Sequence, residues 1–218
     1  MRAVVLIGSP VAHSLSPAMQ NAAFEECGLD WTYRPVNVAP DELDAVVRAL
    51  DAGANVTAPY KLDVARMLGS ELPSVNTLVV RDGELEGHST DAAILEGLDF
   101  EAPAIIGDGG AAAAFCAALP EARVFSRHGD WPPSAADADL VVNATPVRDE
   151  VLAELGPGQT LVDLPYPDTA TAAAAREAGA QVIGGLEVLV AQGAASFGLW
   201  TGLPAPVAVM RRAVGLPA

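Results

Sequence analysis

The segment that most constrains this chain begins at Pro103. Three apolar residues, Ala104-Ile105-Ile106, lead into Gly107-Asp108-Gly109-Gly110-Ala111-Ala112 and an alanine run. An apolar run, then glycines, then a strong helix former reads as a buried strand, a tight turn and a helix. A further strand is expected at Arg123 to Phe125, which completes a βαβ unit and predicts a parallel sheet for this half. Glycines in this order let a diphosphate approach backbone amides at the helix N-terminus, so the turn also predicts dinucleotide binding. Chains that bind NAD commonly place Asp or Glu at the end of the next strand to hold the ribose 2′-hydroxyl. Here that place holds Ser126-Arg127-His128, and Arg127 points to NADP. Asp108 argues the other way, because a carboxylate beside the pyrophosphate opposes binding unless its side chain turns aside.

Further strands are expected at Leu140 to Asn143, Leu161 to Leu164 and Gln181 to Ile183, with a helix from Thr169 to Ala178. Only a dozen residues with two prolines separate Ser126 from Asp139. That is too few for the helix, strand and helix of a full doubly wound half, so the nucleotide domain reads as trimmed. Helical patterns follow over Glu187 to Trp200 and Pro206 to Val214, the last expected to return to the first domain.

Ahead of this half, Ala3 to Ile7 reads as a buried strand ended by Gly8-Ser9-Pro10. Ser16-Pro17 reads as a helix cap and first turn, with the helix reaching about Gly28. Strand character over Trp31 to Val38, a helix from Asp41 to about Asp51, a short strand at Asn55 to Thr57 and a helix over Tyr60 to Leu68 follow. Asp82-Gly83 predicts a hairpin between Asn76 to Val80 and Glu84 to His88, with a helix after Asp91. The reading is an α/β chain of two domains, residues 1–100 plus about 191–218 and residues 101–190.

Composition narrows the function. Twelve basic residues against 28 acidic ones give a net charge of −16, which argues against nucleic acid and anionic membrane surfaces. Alanine supplies 42 of 218 residues, so the core must be closely packed from small side chains. No apolar stretch reaches the ~20 residues of a membrane span, and a reducing cytoplasm is the expected location. Cys27 and Cys116 are expected as small buried hydrophobes. His13, His88 and His128 have no metal-ligand spacing, so no metal is expected.

Polar residues cluster at strand and helix ends of the first half: Ser14, Ser16, Asn55, Thr57, Lys61, Asn76, Thr90 and Asp91. Carboxyl ends of strands converge on one rim in α/β domains, so these groups could line one small polar pocket suited to a polyhydroxylated acid. Reduction of a ketone by hydride leaves a developing alkoxide, and a Lys ammonium beside a carboxylate suits its protonation. Lys61 and Asp91 are the expected pair.

The strings GSPVAHSLSP, NAAF, GANVTAPYK, SVNT, GHSTD, GDGGAA, VNATP, GGLEVLVAQGA and LWTG span nearly the whole chain. In that order they resemble the shikimate dehydrogenase family. The resemblance implies a substrate domain and a trimmed Rossmann domain separated by a cleft, and NADPH-dependent reduction of 3-dehydroshikimate to shikimate. It implies that Ser14, Ser16, Thr57, Asn76, Tyr166 and Gln192 bind substrate and that Lys61 and Asp91 are catalytic. It assigns NADP to Gly107, Gly109, Gly110, Ala111, Arg127, Thr145 and Gly185. Where the family usually has His-Asn this chain has Gln20-Asn21, and Ser89 stands for an Asn. A monomer or homodimer is expected. Two other readings fit the same residues: a quinate- or NAD-preferring relative, and a binding or regulatory protein without turnover. The Lys61 and Asp91 pair favours an enzyme.

Overall fold

The computed structural model describes residues 2–218. It separates into two compact units, one running to Thr90 and resuming over Val190–Ala218, the other Asp91–Leu189.

The first unit is built on a five-stranded sheet of order β2-β1-β3-β4-β5. Its strands are β1 (Arg2–Gly8), β2 (Trp31–Asn37), β3 (Gly53–Val56), β4 (Thr77–Arg81) and β5 (Glu84–His88). β1 pairs in parallel with β2 and β3, while β4 and β5 run antiparallel. Val4 to Ile7 form an unbroken apolar run because β1 is covered on both faces. One face packs Val5, Ile7, Val56 and Leu78 against Leu43 and Val47 of α2 (Leu43–Arg48) and Val64 of α3 (Lys61–Met67). By strand alternation Val4 and Leu6 turn to the other face. The remaining helices of this unit are α1 (Ser16–Glu26), the later part of α6 (Gly185–Thr201) and α7 (Val207–Ala213). The Phe24 and Phe197 rings stack there with centroids 5.6 Å apart, and Trp200 Nε1 donates to the Leu78 carbonyl at 2.9 Å. The β4–β5 turn has φ of 54° at Asp82 and 82° at Gly83, the primed geometry that matches strand twist.

The second unit holds a parallel sheet of order β10-β9-β8-β6-β7. Its strands are β6 (Pro103–Ile106), β7 (Arg123–Phe125), β8 (Leu140–Asn143), β9 (Thr160–Asp163) and β10 (Gln181–Ile183). The chain moves one way from β6 to β7 and the other way from β8 to β10. Right-handed crossovers therefore fall on opposite faces. α4 (Gly110–Ala118) covers one face through Ala112 and Phe115. α5 (Ala170–Glu177) covers the other, with Ala135, Ala138, Leu152 and Leu155 from the connections. No helix forms between Ser126 and Asp139, so the trimmed reading stands and small side chains replace a helix on that face.

Three expectations shift. The unit boundary falls at Thr90 and Asp91 rather than at residue 100, because Leu95 packs with Phe115 and Ile105 of the second unit. The stretch Asp91–Leu95 is a 3-10 helix, not an α-helix. Cys27 and Cys116 are free and only half-buried.

Candidate active site

At one rim of the first sheet, β1 ends at Gly8, β3 ends at Val56, β4 begins at Thr77 and β5 ends at His88. The registers Ile7 to Val56, Asn55 to Thr77 and Thr77 to His88 align these ends. Loops and helix starts at the rim carry Ser14, Ser16, Thr57, Lys61 and Asn76. Gly8 lets two of them approach, since a Cβ there would lie 2.4 Å from Thr57 Cγ2. The Thr57 N–H donates to the Ile7 carbonyl at 2.8 Å. Lys61 opens α3, and its carbonyl accepts the Val75 N–H at 3.1 Å, which brings Asn76, next in chain, to the same place.

The cap reading of Ser16 is corrected. Leu15 holds the N-cap position, Ser16 is the first helical residue, and Ser14 Oγ accepts the Ser16 N–H at 3.2 Å. A hydroxyl two residues upstream does the work expected of Ser16, whose side chain makes no cap bond. Gln20 is fully buried, with Nε2 donating to the Gly193 carbonyl at 2.9 Å.

Behind the rim lies a buried polar network that sequence reading found only in part. Asn55 Nδ2 donates to the Asn76 carbonyl, Thr77 Oγ1 and Ser196 Oγ at 3.0–3.1 Å, and Asn55 Oδ1 accepts from the Tyr33 hydroxyl at 2.9 Å. Asn76 Oδ1 accepts the Thr90 N–H at 2.7 Å, and Asn76 Nδ2 donates to Thr90 Oγ1 at 2.9 Å. Ser196 Oγ donates to the Gln192 carbonyl at 2.9 Å, fixing the helical turn that carries Gln192. Tyr33, Thr77 and Ser196 gave no signal, because each sits inside a stretch that reads as plain strand or helix. Asn55→Leu would remove the acceptor of the Tyr33 hydroxyl and the amide donor that the Asn76 carbonyl, Thr77 Oγ1 and Ser196 Oγ share. The expected loss is about 2–3 kcal/mol, seen as a lower denaturant midpoint with unchanged slope.

Asn76 thus fixes Thr90 on one side and adjoins Val75, the partner of the Lys61 carbonyl, on the other. Asp91 follows Thr90 in the chain and is itself buried.

In the second unit the topological switch lies between β6 and β8. Gly107 (φ 131°) follows β6, and a Cβ there would stand 3.1 Å from the Ala144 carbonyl oxygen after β8. Gly109 is the extended N-cap of α4, with no atom within 4 Å of a Cβ position and no side-chain cap. Open space before uncapped helix amides fits a dinucleotide diphosphate. Ala111 lies in the first turn of α4. Thr145 follows β8, and its hydroxyl donates to Asn143 Oδ1 at 2.8 Å. Gly185 opens α6, where a Cβ would stand 2.4 Å from the Leu164 and Pro165 carbonyl oxygens. Tyr166 lies half-buried in the loop between β9 and α5.

Arg127, after β7, lies with its guanidinium 5.5 Å from the Trp131 ring centroid and reaches Glu150 at 3.5 Å. Asp108, inside the glycine turn, shares a hydrogen bond with His128 Nδ1 at 2.6 Å. That hydrogen bond, with the imidazole charge adding to it, holds the Asp108 carboxyl below its usual range.

Sequence reading also missed Asp163. It is buried at the end of β9, accepting from Asn143 Nδ2 at 2.7 Å and Thr169 Oγ1 at 2.9 Å. Desolvation raises its pKa above the ordinary 3.8, outweighing both hydrogen bonds. A raised carboxyl adds stability that is complete below the unfolded value and is lost as pH rises through the folded value. The stability difference between the native chain and Asp163→Asn is therefore expected to move toward the variant as pH rises from about 4 into the neutral range, read by denaturant titration at each pH.

The chain is similar to known proteins over nearly its whole length. A family model described as the shikimate dehydrogenase substrate binding domain matches residues 6–77. One described as the shikimate 5′-dehydrogenase C-terminal domain matches residues 185–214. The shikimate dehydrogenase (NADP(+)) of Anaeromyxobacter sp. strain Fw109-5 is 38% identical, covering 97% of this chain and 95% of its own. That of Halobacterium salinarum is 35% identical, covering 96% and 97%. The crystal structure of the Thermus thermophilus enzyme in complex with NADP(H) and shikimate superposes with a TM-score of 0.86 at 30% identity, covering 98% of each chain.

Proposed function

The chain belongs to the shikimate dehydrogenase family, and we propose that it reversibly reduces 3-dehydroshikimate to shikimate with NADPH. The observation that carries the proposal is the rim of the first unit, where Ser14, Ser16, Thr57, Lys61 and Asn76 leave adjoining strand ends. NADPH, when bound, supplies the hydride.

Lys61 donates a proton to the oxygen that becomes the hydroxyl, and its ammonium stabilises the developing negative charge. Asp91 orients Lys61. The hydroxyls of Ser14, Ser16 and Thr57 and the amides of Asn76 and Gln192 bind the substrate carboxylate and hydroxyls, and Tyr166 covers it. The amides around Gly109, Gly110 and Ala111 hold the diphosphate, Gly107 and Gly185 permit close approach, Thr145 contributes to cofactor binding, and Arg127 meets the 2′-phosphate. Among the described residues no helix is long and apolar enough to cross a membrane. We place the enzyme in the cytoplasm, consistent with its free thiols.

The test is substrate pairing. Purified chain is assayed with shikimate or quinate against NADP or NAD, following nicotinamide absorbance. The highest kcat/KM is expected for shikimate with NADP. A preference for quinate, or for NAD, would replace the reading with that of a divergent relative.

A further inference from the structure

Gln20 lies fully buried on α1, beside the apolar side chains of Met19, Ala23 and Phe24. Its Nε2 donates to the Gly193 carbonyl at 2.9 Å and so joins α1 to α6. Its Oε1 is buried without a hydrogen-bond donor among the described residues, a desolvation cost that an apolar side chain would avoid. The two helices meet closely at this point, since a Cβ on Gly193 would stand 2.2 Å from Met19 Cε and 3.3 Å from Gln20 Nε2. α1 is itself fixed to the sheet by the next residue. Asn21 Nδ2 donates to the Tyr33 carbonyl and Asn21 Oδ1 accepts the Tyr33 N–H, both at 2.8 Å. Gln192 adjoins Gly193, so a bond that holds Gly193 against an anchored α1 sets the rotation of the turn that presents Gln192. Ser16 lies one helical turn before Gln20, which ties the helix carrying one proposed substrate group to the helix carrying another.

We propose, on the reading that Gln192 binds substrate, that Gln20 is a positioning residue for that binding: its amide fixes α6 against α1 so that Gln192 meets the substrate without rearrangement. The Gly193 carbonyl lies inside α6, where the N–H four residues on, that of Phe197, takes one lone pair. The bond from Gln20 is therefore not needed to satisfy the helix, and what it adds is placement. An apolar side chain of similar size would remove that bond and the unpaired oxygen together, leaving stability near its native value. Gln192 holds the substrate in the ground state and the transition state alike. Lost placement therefore appears in KM and leaves kcat largely intact.

The experiment is steady-state kinetics of shikimate oxidation by the whole chain with NADP, for the native chain, Gln20→Met, Gln192→Ala and the double variant. Gln20→Leu is carried in parallel, and a denaturant midpoint is recorded for each protein. Gln192→Ala is expected to raise KM for shikimate about ten-fold, the size of one hydrogen bond. Gln20→Met is expected to raise it about three- to ten-fold, with kcat within about two-fold of native and KM for NADP unchanged. In the Gln192→Ala background the Gln20→Met change is expected to add little, because both act through one contact. Multiplicative effects of the two changes, native KM in both Gln20 variants, or a fall in kcat that tracks lost stability would overturn the inference. Unfolding of both Gln20 variants would mark the amide as structural and overturn it as well. Native KM for shikimate in Gln192→Ala would instead overturn the substrate reading of Gln192 beneath it.

Discussion

Lys61→Ala is expected to lower kcat by at least about a hundred-fold while changing KM for shikimate only several-fold. General acid catalysis contributes about 10²–10⁴-fold, and charge stabilisation of the alkoxide adds to it. Both benefits arise in the transition state, so the ground-state complex loses little. Lys61 is the only lysine in the chain, so no neighbouring ammonium can take its place. It lies in the first turn of α3 and is half-buried, with Tyr60, Val64 and Val75 forming the core around it, so the fold is expected to survive. Lys61→Arg separates the two contributions: the charge remains, but guanidinium does not release its proton. It should recover part of the loss and no more. Asp91→Asn is expected to cost less than Lys61→Ala, because an amide oxygen can still accept a hydrogen bond. A Lys61→Ala variant with near-native kcat would remove Lys61 from the mechanism.

Arg127→Ala is expected to weaken NADP binding by about ten- to a hundred-fold, since a charged hydrogen bond is worth roughly 1.5–3 kcal/mol. NAD binding should change little. The native partners of Arg127, the Trp131 face and the distant Glu150 carboxylate, are exposed contacts whose loss has little effect on stability. Equal losses for the two cofactors, measured by titration, would assign Arg127 to something other than the 2′-phosphate.

Much of the fold was legible because its central strands are covered on both faces. Val4 to Ile7 and Ala104 to Ile106 appear as unbroken apolar runs, and the glycine turn between strand and helix marked the switch point. Asp82-Gly83 announced its hairpin because the turn needs positive φ at both positions. Boundaries were less legible. The helix expected from Asp41 divides into a 3-10 turn, Pro40–Glu42, and α2, where Glu42 reaches back to the Ala39 N–H at 3.1 Å. Ser16 looked like a cap until Ser14 proved to hold that N–H.

The candidate site was legible where polar residues interrupt apolar segments, as at Asn55, Thr57 and Asn76. Its supporting groups were not. Ser196 meets Asn55 across 141 residues and Thr77 across 119, contacts that no local pattern encodes. Asp163 ends an ordinary strand, and only packing reveals that its carboxylate is buried among Asn143 and Thr169. Asp108 and His128 were each visible as oddities of the cofactor rim, but their pairing is a property of two loops brought together by adjacent strands.

The central claim is that this chain moves hydride between NADP and shikimate, with Lys61 managing the proton. The most direct measurement mixes purified chain with 3-dehydroshikimate and NADPH, follows NADPH consumption and identifies the product by chromatography. The expected result is one shikimate formed per NADPH consumed, at a rate at least about a hundred-fold above that of Lys61→Ala purified in parallel. Consumption at the same rate in both proteins, or native chain that binds both ligands and forms no shikimate, would contradict the account.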